Sequence, residues 1–107
     1  MSKVAGINDA KIWMWKIILQ AKNDKISELI DKGFPVDTPI SPIGLTALHL
    51  ACAKDNAEAV RILIGKSANV NIQDGSGRTP VHMAASESRD SSEILGLLLE
   101  AGADLNV

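Results

Sequence analysis

With 107 residues, 46% of them apolar, the chain is long enough for one continuous core and too short for several independent domains. Charged residues make up 22% and the net charge is −2, which excludes the strong field that nucleic-acid or membrane-surface binding relies on. The single cysteine, Cys52, excludes an internal disulfide, fits a reducing compartment and, flanked by Leu50, Ala51 and Ala53, reads as a small buried hydrophobe.

In chain order, residues 1–9 read as a weakly structured lead with little to bury. Asn8, Asp9 and Lys11 stand where the apolar centre of a secretory signal would begin. The longest nearly apolar run, residues 12–19, is broken by Lys16 and is far short of the ~20 residues of a membrane span. No direct membrane insertion is expected, and the chain reads as intracellular, cytoplasmic or nuclear. Over residues 10–21 the apolar positions Met14, Ile17, Ile18 and Ala21 fall at helical spacing. A second helix is predicted over 25–32, with Ile26, Leu29 and Ile30 inward and Gly33 as its stop. Pro35, Pro39 and Pro42 then hold the connector extended or turned, because proline fixes φ and lacks an amide donor.

Thr46 opens the next helix as its N-cap, and the helix runs to about Lys54. Asp55 and Asn56 make a turn, and residues 57–66 place Val60, Leu63 and Ile64 at the spacing that packs one helix on another. Residues 68–73 form an extended arm. The stretch 74–78, Asp-Gly-Ser-Gly-Arg, suits a β-turn; Thr79 then caps a helix whose first position is Pro80, where a missing amide costs nothing. The last helix carries Ile94, Leu95, Leu98 and Leu99 and is interrupted by Gly96, which lowers its stability by about 1 kcal/mol relative to alanine.

Two hexapeptides punctuate this order: Thr46-Ala47-Leu48-His49-Leu50-Ala51 and Thr79-Pro80-Val81-His82-Met83-Ala84, 33 residues apart. A period between about 20 and 50 residues signals stacked repeats. The unit resembles the ankyrin repeat, whose signature is Thr-Pro-Leu-His-x-Ala near the start of the first of two antiparallel helices. The resemblance implies an all-α solenoid of stacked helix-turn-helix units joined by β-turn or hairpin loops. Residues 41–73 and 74–107 are then two repeats. Residues 10–40, with Ile12, Trp13, Met14 and Trp15 in place of the signature, read as an N-terminal capping repeat. Two departures stand out. Ser67 occupies the position held by Gly33 and Gly102, so ending the helix in a left-handed conformation costs about 1 kcal/mol that glycine avoids. His49 to Leu63 spans 14 positions but His82 to Leu98 spans 16, which places a polar two-residue insertion within 87–92.

The last repeat keeps the apolar character of an internal one, with Val81, Met83 and the leucine-rich last helix expected to have an uncovered side. Either the chain is a segment of a longer array, or another subunit or domain covers that face; self-association through it is one form this takes.

Chemical sites are not indicated. Gly65-Lys66-Ser67 echoes a phosphate-binding loop but has Val60 where the leading glycine is needed, and it follows a helix where the motif follows a strand. His49 and His82 lack ligand-like spacing and cysteine partners; in the resembled family this histidine bonds to the signature threonine and neighbouring backbone. Carboxylates and basic residues are dispersed, so neither an acid/base pair nor a nucleic-acid stripe forms. No catalysis and no cofactor are expected.

The resemblance implies that a partner protein is held by the turn tips and the concave side of the inner helices. The turn-tip candidates are Ile43 and Leu45, beside Pro42, and Ser76 and Arg78, beside Gly75; the inner-helix candidates are Lys54, beside Ala53, and Glu87, beside Ser86. Ile43 and Leu45 either face the partner or fold back over Pro42 or the Trp13/Trp15 region. Trp15 and Leu19, four apart and off the core stripe, either form a contact patch or seal the core of the cap. Residues 86–92 are either a solvated turn, with Asp90 or Ser91 capping the last helix, or a phosphorylation switch beside Arg89. The implied function is a non-catalytic adaptor or targeting scaffold. A stand-alone inhibitor of a kinase or transcription factor, or a regulatory domain of a larger enzyme or channel, is the alternative.

Overall fold

The computed structural model describes residues 7–86 and 92–104, and all its regular elements are helices: α1 (Ile7–Leu19), α2 (Asp24–Asp31), α3 (Ala47–Ala53), α4 (Ala57–Gly65), α5 (Pro80–Ser86) and α6 (Ser92–Glu100). They pair as α1/α2, α3/α4 and α5/α6. The odd-numbered helices then stack α1 on α3 on α5, and the even-numbered ones α2 on α4 on α6, giving a body 44 × 26 × 23 Å. One continuous core runs along the stack through Met14, Ile18, Ile26, Leu48, Val60, Leu63, Ile94 and Leu98, each at most 1% exposed.

Each outer helix ends the same way. A residue in the left-handed region donates its amide to the carbonyl three residues back, and the next residue donates five back: Gly33 and Phe34 to Ile30 and Leu29, Ser67 and Ala68 to Ile64 and Leu63, Gly102 and Ala103 to Leu99 and Leu98. Ser67 takes this conformation with φ 72°, as the repeat alignment predicts. The first two inner helices stop likewise at Ala21 and Asp55, with φ 56° and 58°. That geometry corrects the reading of Ala21 as a core residue: it lies beyond α1 and is exposed. At its other end α1 begins at Ile7, three residues earlier than its apolar spacing indicates.

Neighbouring repeats are tied by polar side chains as well as by packing. Asn23 and Asn56 exchange amide hydrogen bonds at 3.2 and 3.0 Å, and Asn56 Oδ1 also accepts from the Ala59 amide, capping α4. Along the connecting arms, Asp37 accepts from the Asn69 amide at 2.9 Å and Asn71 accepts from the Asp104 amide at 2.7 Å, the same bond one repeat later. Ion pairs Lys66–Asp31 (2.8 Å) and Arg61–Glu93 (2.7 Å) cross between the outer helices, where solvent screens them.

The far end of the stack is less bare than its sequence suggests. Val81 and Met83 are buried, on a helix that packs on both α3 and α6. Leu99, at 46% exposure, is the large apolar side chain left open on α6.

Candidate partner-binding surface

The signature hexapeptide builds the frame on which the turns sit. In α3 the Thr46 amide donates to His49 Nδ1 at 3.0 Å, and the His49 amide closes the capping box on Thr46 Oγ1 at 3.4 Å. The ring's other nitrogen, Nε2, lies 2.8 Å from the Arg78 carbonyl in the following turn. An amide can only donate and a carbonyl can only accept, so His49 is neutral with its proton on Nε2. Burial lowers its pKa below that of a free imidazole, although the Arg78 carbonyl and the Asp74 carboxylate pull the other way. His49 is thus a cross-repeat strut, and neither of its nitrogens is free for a metal ion.

That strut fixes the turn at 74–78. The Asp74 side chain is buried; one of its oxygens accepts from the Ser76 and Arg78 amides at 2.8 and 2.9 Å, and the other from Arg78 Nε at 2.9 Å. Burial alone would raise its pKa, but these donors outweigh it and hold the carboxyl below its ordinary value. The turn also leans on its predecessor: the Gly75 amide donates to the Ile43 carbonyl at 2.7 Å. A Cβ on Gly75 would meet that carbonyl at 2.8 Å, and one on Gly44 would meet the Gly75 nitrogen at the same distance, so glycine is what lets the two tips touch.

The structure sorts the sequence candidates. Ile43 projects from the second turn at 51% exposure, and Ser76 and Arg78 are exposed on the adjoining third turn, so these three share one rigid edge. Leu45 is corrected: it is 8% exposed and belongs to the core. Gly44, with φ 86°, reverses the chain after Ile43, so consecutive apolar side chains point out and in, and the Leu45 backbone is held by Ser41 Oγ and the Ile40 amide. Lys54 is exposed at the end of α3; Leu19, at 47% exposure, ends α1 in the same helical layer, while Trp15 is half-buried against the core. Glu87, like the insertion up to Ser91, lies outside the described residues.

Sequence reasoning passed over Trp13 and Ile12, which are exposed at 52% and 55%; Lys16 Nζ sits 5.9 Å from the Trp13 ring centroid. Cys52 is fully buried and its thiol is pushed up to about 12, so it is no nucleophile. Among the described residues no cluster of three or more His, Cys, Asp or Glu could hold a metal, and no helix is long and apolar enough to cross a membrane.

Similarity to known proteins is consistent with this architecture. Over 74 residues the chain is 43% identical to human neurogenic locus notch homolog protein 1, covering 69% of this chain and 3% of that protein. It is 39% identical over 64 residues to the E3 ubiquitin-protein ligase KEG of Arabidopsis thaliana, covering 60% of this chain and 4% of the ligase. Against the nuclear factor NF-kappa-B p110 subunit of Drosophila melanogaster it is 38% identical over 52 residues, or 49% of this chain and 5% of the subunit. The chain therefore matches only a small part of each relative. A family profile described as ankyrin repeats in three copies matches residues 14–107, and with the stacked helix pairs and the Thr-His capping frame this places the chain in the ankyrin-repeat family.

Proposed function

We propose that this chain is an intracellular adaptor or targeting module that holds a partner protein along the turn edge formed by Ile43, Ser76 and Arg78 and by Lys54 at the far end of α3, with residues 10–40 serving as the cap of the stack. Ankyrin repeats are generally protein–protein interaction modules, and the relatives contain such repeats within much longer proteins. The observation that carries the reading is Ile43. Its backbone is locked by the Gly75 amide while its side chain is half exposed at a turn, so the apolar group does little for the fold and is presented on a rigid support. Trp15 and Leu19 extend the same helical layer towards the first repeat.

The test is a quantitative affinity capture with the chain and an Ile43→Ser, Lys54→Glu variant, both positions being exposed so that the helical circular dichroism stays unchanged. Loss of a specific protein from the variant is the expected result. Retention of every captured protein by the folded variant would remove the turn edge as the binding surface.

A further inference from the structure

The face of the first repeat turned away from the second carries a groove of about 510 Å³ between α1 and α2. Its floor is apolar, with Ile17 buried and Leu29 half-buried, and Trp13 forms one wall. The rim is basic: Lys16, Lys22, Lys25 and Lys32 line it, with Glu28 as its one carboxylate, 3.7 Å from Lys25. Four of the chain's eleven basic side chains thus meet one of its thirteen acidic ones, a local reversal of the −2 overall charge. Lys16, Lys22 and Lys32 make no ion pair among the described residues.

The second repeat shows what this face does when a repeat packs on it. The helix ends at Ala21 and Asp55 align the two units, and Trp13, Lys16 and Lys25 then stand where Ala47, Leu50 and Ala59 stand. Those three are 0%, 3% and 0% exposed in a unit whose helices pack on α1 and α2. Small and apolar groups have become a tryptophan and two ammonium groups, which stacking of another repeat would desolvate without partners. A merely solvated cap would explain the lysines, but not a tryptophan left half open beside an apolar floor.

We propose that this groove docks an acidic peptide segment of a partner protein, with one bulky apolar side chain seated between Trp13, Ile17 and Leu29 and flanking carboxylates paired with the lysine rim. The site is separate from the turn edge. Its concave form fits a chain better than a bilayer, and the lysines ring an apolar floor instead of tracking a phosphate backbone.

The test is selection of a displayed library of random peptides on the folded chain, followed by titration of a selected peptide with tryptophan fluorescence as readout. The selected peptides should combine Asp or Glu with a large apolar residue, and binding should weaken as salt is raised. A Trp15→Phe background assigns the signal to Trp13. Trp13→Ala and the Lys16→Glu, Lys25→Glu double variant should each weaken binding by about tenfold or more, whereas Ile43→Ser should not. All these replaced side chains except Trp15 are exposed, and circular dichroism checks the fold of every variant. Selection of neutral or basic peptides, selection of none, or affinity indifferent to the charge reversal would overturn the proposal. So would fluorescence titrations in which phosphatidylserine-containing vesicles or single-stranded DNA bind at this groove while the peptides do not.

Discussion

His49 and His82 occupy the same place in the same hexapeptide, yet they live differently. Each accepts its threonine's amide on Nδ1, at 3.0 Å from Thr46 and 2.9 Å from Thr79. His49 is 0% exposed and spends its second nitrogen on the Arg78 carbonyl of the next repeat, whereas His82 is exposed and shows no such second bond among the described residues. The local motif is therefore sufficient to bond threonine to histidine, and the neighbouring repeat turns that pair into a strut.

The largest effect that should expose this difference is truncation of the ring. His49→Ala leaves the Thr46 amide and the Arg78 carbonyl without their partner and opens a void, costing about 3 kcal/mol in urea unfolding. His82→Ala, which gives up only the bond from the Thr79 amide, should cost about 1 kcal/mol. Equal losses would show that the strut adds nothing.

Next comes the contact between turns. Gly75→Ala sets a methyl 2.8 Å from the Ile43 carbonyl, so the tips must part and the 2.7 Å bond is lost. We expect a loss of about 2 kcal/mol, and faster hydrogen exchange at the Gly75 amide should accompany it. Unchanged stability would mean that the edge does not need this closeness.

Acid should narrow the difference more gently. In the unfolded chain His49 takes up a proton near pH 6.5, but in the fold it stays neutral because burial lowers its pKa. The unfolded state then binds more protons, so stability falls as pH drops below about 6.5 towards the lowered folded value. Melting temperatures of the wild type should decline across that window more steeply than those of His49→Gln; parallel curves would refute the assignment.

The smallest expected change is a gain. Ser67, held at φ 72°, ends α4 where its counterparts Gly33 and Gly102 end α2 and α6. Ser67→Gly should raise stability by about 1 kcal/mol, and no rise in melting temperature would show that serine is not strained there.

These particulars show how far the chain can be read without coordinates. The period, the Thr46 cap, the helix pairs and the left-handed helix end at Ser67 are all local matters of spacing and φ, and each was legible. Leu45 was not, because its direction depends on a single left-handed turn at Gly44 that periodicity does not reveal. Trp13 was passed over for a related reason: it lies off the stripe of Met14, Ile17 and Ile18, and spacing alone does not say whether another repeat covers such a position. The pairs Asn23–Asn56 and Asn71–Asp104 also escaped notice, since an asparagine repeated at the right interval looks like a turn residue unless its opposite number is known. At the candidate edge, Ile43, Ser76 and Arg78 could be named from their offset to the signature threonine, while their mutual support through Gly75 and Asp74 could not.

The order of packing carries a mechanical consequence. The principal helix contacts join each repeat to the next, α1 and α2 to α3 and α4, and those in turn to α5 and α6. Pulled between its two ends, such a stack does not share the load as a sheet sheared along its hydrogen bonds would. It peels, one helix pair at a time, and the pair with a neighbour on one side only yields at lower force than the pair held on both. A tether attached through this chain would lengthen in steps under tension, each step breaking cross-repeat ties such as those of His49 and Asn56.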